Sequence, residues 1–241
     1  MLRFIFVIFI SIPFILYYIP KAVYYVHHPE RYNEEDRYCL ALKIIGRLKK
    51  NARIQTIVDG QNNLPKEGGY IMFSNHQGKY DTLGIMYGHK EPCAVVMDEK
   101  RSHLFIASQF LDLVGGARLD KTDMRKQIKT IEKVAQEVKN GRRYILFPEG
   151  GYDHNGNTLQ EFLPGAFKCA QKARCPIVPV AIYDSYKPFA ENSLRKVRTG
   201  VYFLKPIPYE EYKGMNTKEI AGMVKERIRE KMNSISFSCG N

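Results

Sequence analysis

The chain has 241 residues, 44% of them hydrophobic and 26% charged, which suits one α/β domain, alone or with a membrane-attachment segment, and excludes a low-complexity or solenoid chain. Its formal net charge of +12 points to nucleic acid, an anionic membrane or a phosphorylated substrate. Five cysteines (Cys39, Cys93, Cys169, Cys175 and Cys239) form no CxxC pair and no zinc spacing with histidine, so each reads as a small buried hydrophobe in a reducing compartment.

The stretch Phe4–Ile19 is apolar and free of charge, interrupted only by Ser11 and Pro13. As a helix it covers roughly 24 Å, short of the roughly 30 Å hydrocarbon core. Extension from Leu2 to Val26, with Lys21 snorkelling, would be long enough. Both readings stay open: a single span, or a helix dipping into one leaflet, which Pro13 and Pro20 favour by kinking. No A-x-A site follows, which argues against a cleaved signal. Lys and Arg crowd the downstream side, so the positive-inside tendency leaves the bulk of the chain in the cytoplasm, at the cell membrane. Glu34–Lys50 reads as a second helix, either interfacial or packed on the domain. Residues 1–52 are therefore assigned to membrane attachment and residues 53–241 to an α/β domain.

Beyond residue 53, short apolar runs alternate with helical stretches. Expected strands are Ile54–Val58, Tyr70–Ser74, Ala94–Met97, Tyr144–Phe147, Ile177–Tyr183 and Val201–Leu204. Expected helices are Thr82–Gly88, Ser102–Leu113, Asp123–Asn140, Gly165–Ala173 and Thr217–Met232. In Asp123–Asn140, Ile128, Ile131, Val134, Ala135 and Val138 fall at helical spacing; Asn216 and Glu219 form a capping signal for the last helix. The alternation argues for a single sheet covered by helices, with ligand loops at strand ends.

Three such loops carry chemistry. In Ser74–Asp81, His76 and Asp81 are five residues apart and can meet only if the chain turns between them, which Gly78 permits. A histidine oriented by a carboxylate is the usual base for a hydroxyl nucleophile; the bland alternative is a surface histidine in a turn. In Tyr144–Gly151 a strand runs into Phe147-Pro148-Glu149-Gly150-Gly151. The glycines let backbone N–H groups approach an anion, and Glu149 can accept a bond from a substrate hydroxyl. In the connecting loop Gly115–Lys121, Arg118 and Lys121 can hold a phosphate.

Together these blocks resemble the glycerolipid acyltransferase family, over roughly residues 54 to 205. The H-x-x-x-x-D motif matches at Asn75–Asp81, the phosphate-loop motif at Gly115–Lys121, F-P-E-G at Phe147–Gly150 and an apolar V-P-V block at Val178–Val180. Two departures stand out: Lys121 replaces an arginine, and Gly151-Tyr152-Asp153 replace T-R-S.

The resemblance implies an α/β fold with a single mixed sheet. It implies acyl transfer from an acyl-carrier protein or coenzyme A thioester to the sn-2 hydroxyl of 1-acylglycerol-3-phosphate, a membrane lipid. His76 would be the base and Asp81 its orienter. Glu149, Gly150, Gly151, Arg118 and Lys121 would bind the acceptor. The thioester is a co-substrate, and neither a metal nor a cofactor is expected, since a thiol leaves readily. The helix Leu104–Val114 would line an acyl slot. Rivals are another lysophospholipid or glycerol-3-phosphate as acceptor, and a non-catalytic lipid-binding protein, for which the His76–Asp81 pair has no use. No nucleic-acid motif is present, so no nucleic-acid partner is expected.

Overall fold

The computed structural model describes residues 2–235. Cys239 lies outside them. The N-terminal helix α1 (Leu2–His27) runs into α2 (Glu34–Asn51), then β1 (Ile54–Asp59), β2 (Ile71–Ser74), α3 (Asp81–His89), β3 (Ala94–Asp98), α4 (Glu99–Ser102) and α5 (Phe105–Leu113). There follow β4 (Ala117–Leu119), α6 (Met124–Lys139), β5 (Tyr144–Leu146), α7 (Lys168–Ala173), β6 (Ile177–Tyr183), α8 (Lys187–Ala190), β7 (Val197–Phe203), α9 (Tyr209–Tyr212) and α10 (Thr217–Ser234).

Among the described residues, seven strands form one sheet in the order β1-β7-β6-β2-β5-β3-β4. Only the β6–β7 pair is antiparallel, so the sheet is mixed, as expected. β2 lies between β5 and β6, with every residue buried. Burial on both faces explains its unbroken apolar run before Ser74. One face packs Ile71, Phe73, Tyr144 and Leu146 against Val134 and Val138 of α6 and Ile220, Val224 and Ile228 of α10. The other packs Met72, Ile145 and Val178 against α2, α3 and α5.

Side-chain caps place the helix starts. Asn33 and Asp36 form a capping box on α2, and Asn216 and Glu219 the expected one on α10. Asp123 accepts from the amides of Arg125 and Lys126 and starts α6.

Several expectations need correction. Gly115–Lys121 is not wholly a loop: Ala117–Leu119 is the edge strand β4, held by β3. The expected helix over 102–113 is broken at His103–Leu104. Ile128 starts the α6 stripe but is exposed. Cys39 is exposed, while Cys93, Cys169 and Cys175 are buried.

The two N-terminal helices are built into the fold. Tyr38, Leu40, Ala41 and Ile45 of α2, and Ala22 of α1, join the core beneath the sheet. Near the other end of α1, Val7 packs with Ile54 and Tyr80, and the Arg3 guanidinium donates to the Arg195 carbonyl at 2.5 Å. Asn51 donates to Ser11 at 2.8 Å. α1 thus lies along the domain over its length. It turns Ile5, Phe9 and Leu16 outward, at 63%, 74% and 70% exposure.

Candidate active site

β2 and β5 are parallel neighbours, with Phe73 paired to Leu146, so their carboxyl ends open side by side. Such ends are where α/β sheets bind ligands. β2 delivers His76 and β5 delivers Glu149.

Asn75 carries the ladder one step beyond β2. Its side chain donates to the Ile182 carbonyl at 3.0 Å and accepts the Ile182 N–H at 2.9 Å. The chain then turns and returns Asp81 to His76: His76 Nδ1 donates to Asp81 Oδ2 at 2.6 Å. The same oxygen accepts the amides of Gln77 (2.5 Å) and Gly78 (2.8 Å). Asp81 is fully buried. Gly78 makes the turn differently from expectation, without a positive φ. Its missing side chain leaves room for Tyr186, whose Cα would sit 3.3 Å from a Cβ there.

A carboxylate on Nδ1 fixes the proton there and leaves the Nε2 lone pair as the base. Nε2 has no hydrogen-bond partner among the described residues. The ring stacks on Phe147 with centroids 4.3 Å apart and meets the edge of Tyr152 at 4.7 Å. Stacking holds the imidazole plane and leaves one direction open for a reacting hydroxyl.

Glu149 sits in the turn after β5, 9% exposed. It accepts bonds from the backbone and side-chain amides of Gln160. Burial pushes its carboxyl up to about 7 against these bonds, and the nearby Asp81 adds to the rise. Gly150 adopts φ +73°, where a side chain would be strained. A Cβ there would lie 2.8 Å from Leu163.

Lys121 reaches this turn from just beyond β4. Its ammonium donates to the Gly150 carbonyl at 2.5 Å and pairs with Asp98 at 3.1 Å. Arg118 does not join the cluster. It stands on β4, pairs with Asp112 of α5 at 2.7 Å and donates to Ser108 at 3.2 Å. There it lines a groove with Glu34, Arg37 and Arg142. Read as a loop, 115–121 allowed both cations to converge; as a strand ending at Leu119, it leaves only Lys121 beyond the end.

Several residues of the site went unread in the sequence. Arg101 of α4 lies over the Tyr152 ring, 5.2 Å from its centroid, on the rim beside His76. Gln77, Asn157 and Gln160 join the motif loops through side-chain amides. No sequence signal marks them, because amides in coil are common and their partners lie up to 108 residues away. Leu104, Phe105 and Ile106, expected along an acyl slot, are exposed at the start of α5, while Leu111 and Leu113 further along are buried.

An imidazole fixed at Nδ1 and free at Nε2 can take the proton of an incoming hydroxyl, chemistry that fits an enzyme transferring a group to that hydroxyl. Residues 55–183 match the family model described as Acyltransferase, more than half of the chain, and the chain belongs to that family. It is 32% identical over 209 residues to 1-acyl-sn-glycerol-3-phosphate acyltransferase alpha of Ovis aries, covering 83% of this chain and 69% of that one. It is 24% identical over 191 residues to the 1-acyl-sn-glycerol-3-phosphate acyltransferase of Borreliella burgdorferi, covering 77% and 75%. The crystal structure of the 1-acyl-sn-glycerophosphate (LPA) acyltransferase PlsC from Thermotoga maritima has the same fold, with a TM-score of 0.81 at 18% identity, over 100% of this chain and 97% of that one.

Proposed function

We propose that this acyltransferase moves an acyl chain from a thioester to the sn-2 hydroxyl of 1-acylglycerol-3-phosphate, giving phosphatidic acid. The observation that carries the reading is His76, held on Nδ1 by Asp81 and open at Nε2. The names of its relatives supply the acceptor.

His76 Nε2 takes the hydroxyl proton as the oxygen bonds to the thioester carbonyl. Collapse of the tetrahedral adduct breaks the C–S bond, and the proton on His76 passes to the departing thiolate. Asp81 stabilises the imidazolium formed between these steps. Glu149 accepts a bond from the acceptor's glycerol backbone. Lys121 and the Gly151 amide hold its phosphate, the Gly150 amide being committed to the Phe147 carbonyl at 3.1 Å. The donor is a thioester of acyl-carrier protein or coenzyme A, and no further cofactor takes part.

The protein works at the cytoplasmic face of the cell membrane, with α1 lying in one leaflet. α1 is long and apolar enough to cross a bilayer. A span, however, would drag the domain into hydrocarbon, because Arg3 and Ala22 at its two ends both bury against that domain. A helix lying in the interface keeps both contacts and gives Ile5, Phe9 and Leu16 to lipid.

The test is transfer from a labelled thioester to 1-acylglycerol-3-phosphate by purified protein in vesicles, beside His76→Ala. Activity that disappears in the variant is expected. Wild-type inactivity with both donors, or an active variant, would overturn the reading.

A further inference from the structure

Residues 150–163, between β5 and the turn Pro164–Phe167, form no regular element. Two amide side chains on this strap reach the two motif loops. Asn157 accepts from Gln77 Nε2 at 2.9 Å, and it exchanges bonds with the side chain and backbone of Asp184, both at 2.9 Å. Gln77 is buried beside His76 and also accepts the Ser185 amide at 2.8 Å. Three residues further, Gln160 Nε2 donates to Glu149 Oε2 at 3.1 Å and lies 3.2 Å from the Gly151 carbonyl and 3.4 Å from Asn155 Oδ1. Its backbone N–H points to Glu149 Oε1 at 3.4 Å.

We propose that Asn157 and Gln160 are positioning residues of the acyl transfer: Asn157 fixes the loop that carries His76, Gln160 fixes the carboxylate of Glu149, and the strap sets the two in register. The proposal rests on the roles given above to His76 and Glu149. The ladder between β2 and β5 ends at the Phe73–Leu146 pair, before either residue. Beyond it the two loops touch through the stacking of His76 on Phe147. Errors of about 1 Å between reacting groups cost on the order of 10²-fold in rate, so the loops need further anchors. The strap supplies them through Asn157 and Gln160.

Gln160 also bears on charge. Its N–H donors favour the ionised form of Glu149, against burial and Asp81. The other ionisable groups around this turn are His76 on the β2 loop, Lys121 with its partner Asp98, Tyr152 and His154 on the strap, and Arg101 over Tyr152. None of these replaces the Gln160 amide on Glu149 Oε2.

The experiment measures kcat and KM for acceptor and donor against pH, on the full chain in vesicles, for wild type, His76→Ala, Gln160→Met, Gln160→Lys and Asn157→Ala. Gln160→Met removes the side-chain donor at similar volume and keeps the backbone N–H. The acid limb of kcat/KM for the acceptor should move to higher pH, with roughly tenfold loss at pH 6.5 that shrinks by pH 8.5. Gln160→Lys places an ammonium at the same carboxylate, and the limb should move the opposite way. Asn157→Ala should lower kcat at every pH without moving the limb. Opposite shifts for Met and Lys support the proposal, since a purely structural role gives no such sign. An unmoved limb in both, or an Asn157→Ala enzyme with wild-type kcat, overturns it. If wild type is inactive or His76→Ala is active, the functional reading has failed instead.

Discussion

His76 Nδ1 and Asp81 Oδ2 lie 2.6 Å apart, and the same carboxylate oxygen closes the turn between them by accepting the amides of Gln77 and Gly78. One atom therefore serves the base and the loop that presents it. His76→Ala should lower turnover by about 10²–10⁴-fold with little change in melting temperature. Asp81→Asn should be severe too, because a neutral amide oxygen holds the three donors more weakly and cannot stabilise the imidazolium. It should also lower the melting temperature. Steady-state kinetics and thermal melts on the two variants check this, and an Asp81→Asn enzyme near wild-type rate would refute the arrangement.

Glu149 has a stability consequence opposite to its proposed catalytic one. Its carboxyl is raised by burial to about 7, against an ordinary 4.5. Between these values the unfolded chain has lost the proton and the folded chain keeps it, so stability falls as pH rises from 4.5 to 7 and then levels. Glu149→Gln removes that slope. The variant should be more stable than wild type by up to about 3 kcal/mol above pH 7 and indistinguishable below pH 4.5. It should lose activity throughout. Urea melts at several pH values read the difference.

His89 gives a second window. It is buried between the Tyr70 hydroxyl (2.5 Å) and the Glu91 carbonyl (2.8 Å), and burial lowers its pKa to about 4. Between pH 6.5 and 4 the unfolded state binds a proton that the folded state refuses. Stability is therefore full above 6.5 and lost as pH falls toward 4, by on the order of 3 kcal/mol. His89→Gln should flatten this part of the pH–stability curve; an unchanged curve would place the acid sensitivity elsewhere.

Lys121 is proposed to hold the acceptor phosphate from the Gly150 turn. Lys121→Ala should lower kcat/KM for the acceptor by roughly tenfold to a hundredfold, with the donor KM unchanged. Arg118→Ala should leave acceptor kinetics near wild type and reduce stability, through Asp112 and Ser108. Equal acceptor effects from the two variants would restore Arg118 to the site.

The inward side of α1 predicts a cost of truncation. Residues 2–26 include Arg3, Val7 and Ala22, all buried. Their deletion should lower the melting temperature as well as membrane binding. Ile5→Ser with Phe9→Ser should weaken vesicle binding alone, because both side chains face outward. Vesicle sedimentation paired with thermal melts separates the two effects.

Local pattern fixed much of this protein. The capping box at Asn216, the α6 stripe through Val134 and Val138, and the buried run Ile71–Phe73 depend on neighbours a few residues apart, and so are legible in the chain. The His76–Asp81 pair was legible for the same reason, as was Glu149 at the end of a strand. Tertiary structure alone decided that β4 is a strand, since three residues, Ala117–Leu119, show no period and need β3 to hold them. That decision turned Arg118 to α5 and sent Lys121 to Gly150. It also decided that α1 lies along the domain, through Arg3 and a carbonyl 192 residues distant. The bonds that Asn157 and Gln160 make from coil belong to the same class, because amide partners are chosen by where the folded loops arrive and not by spacing along the chain.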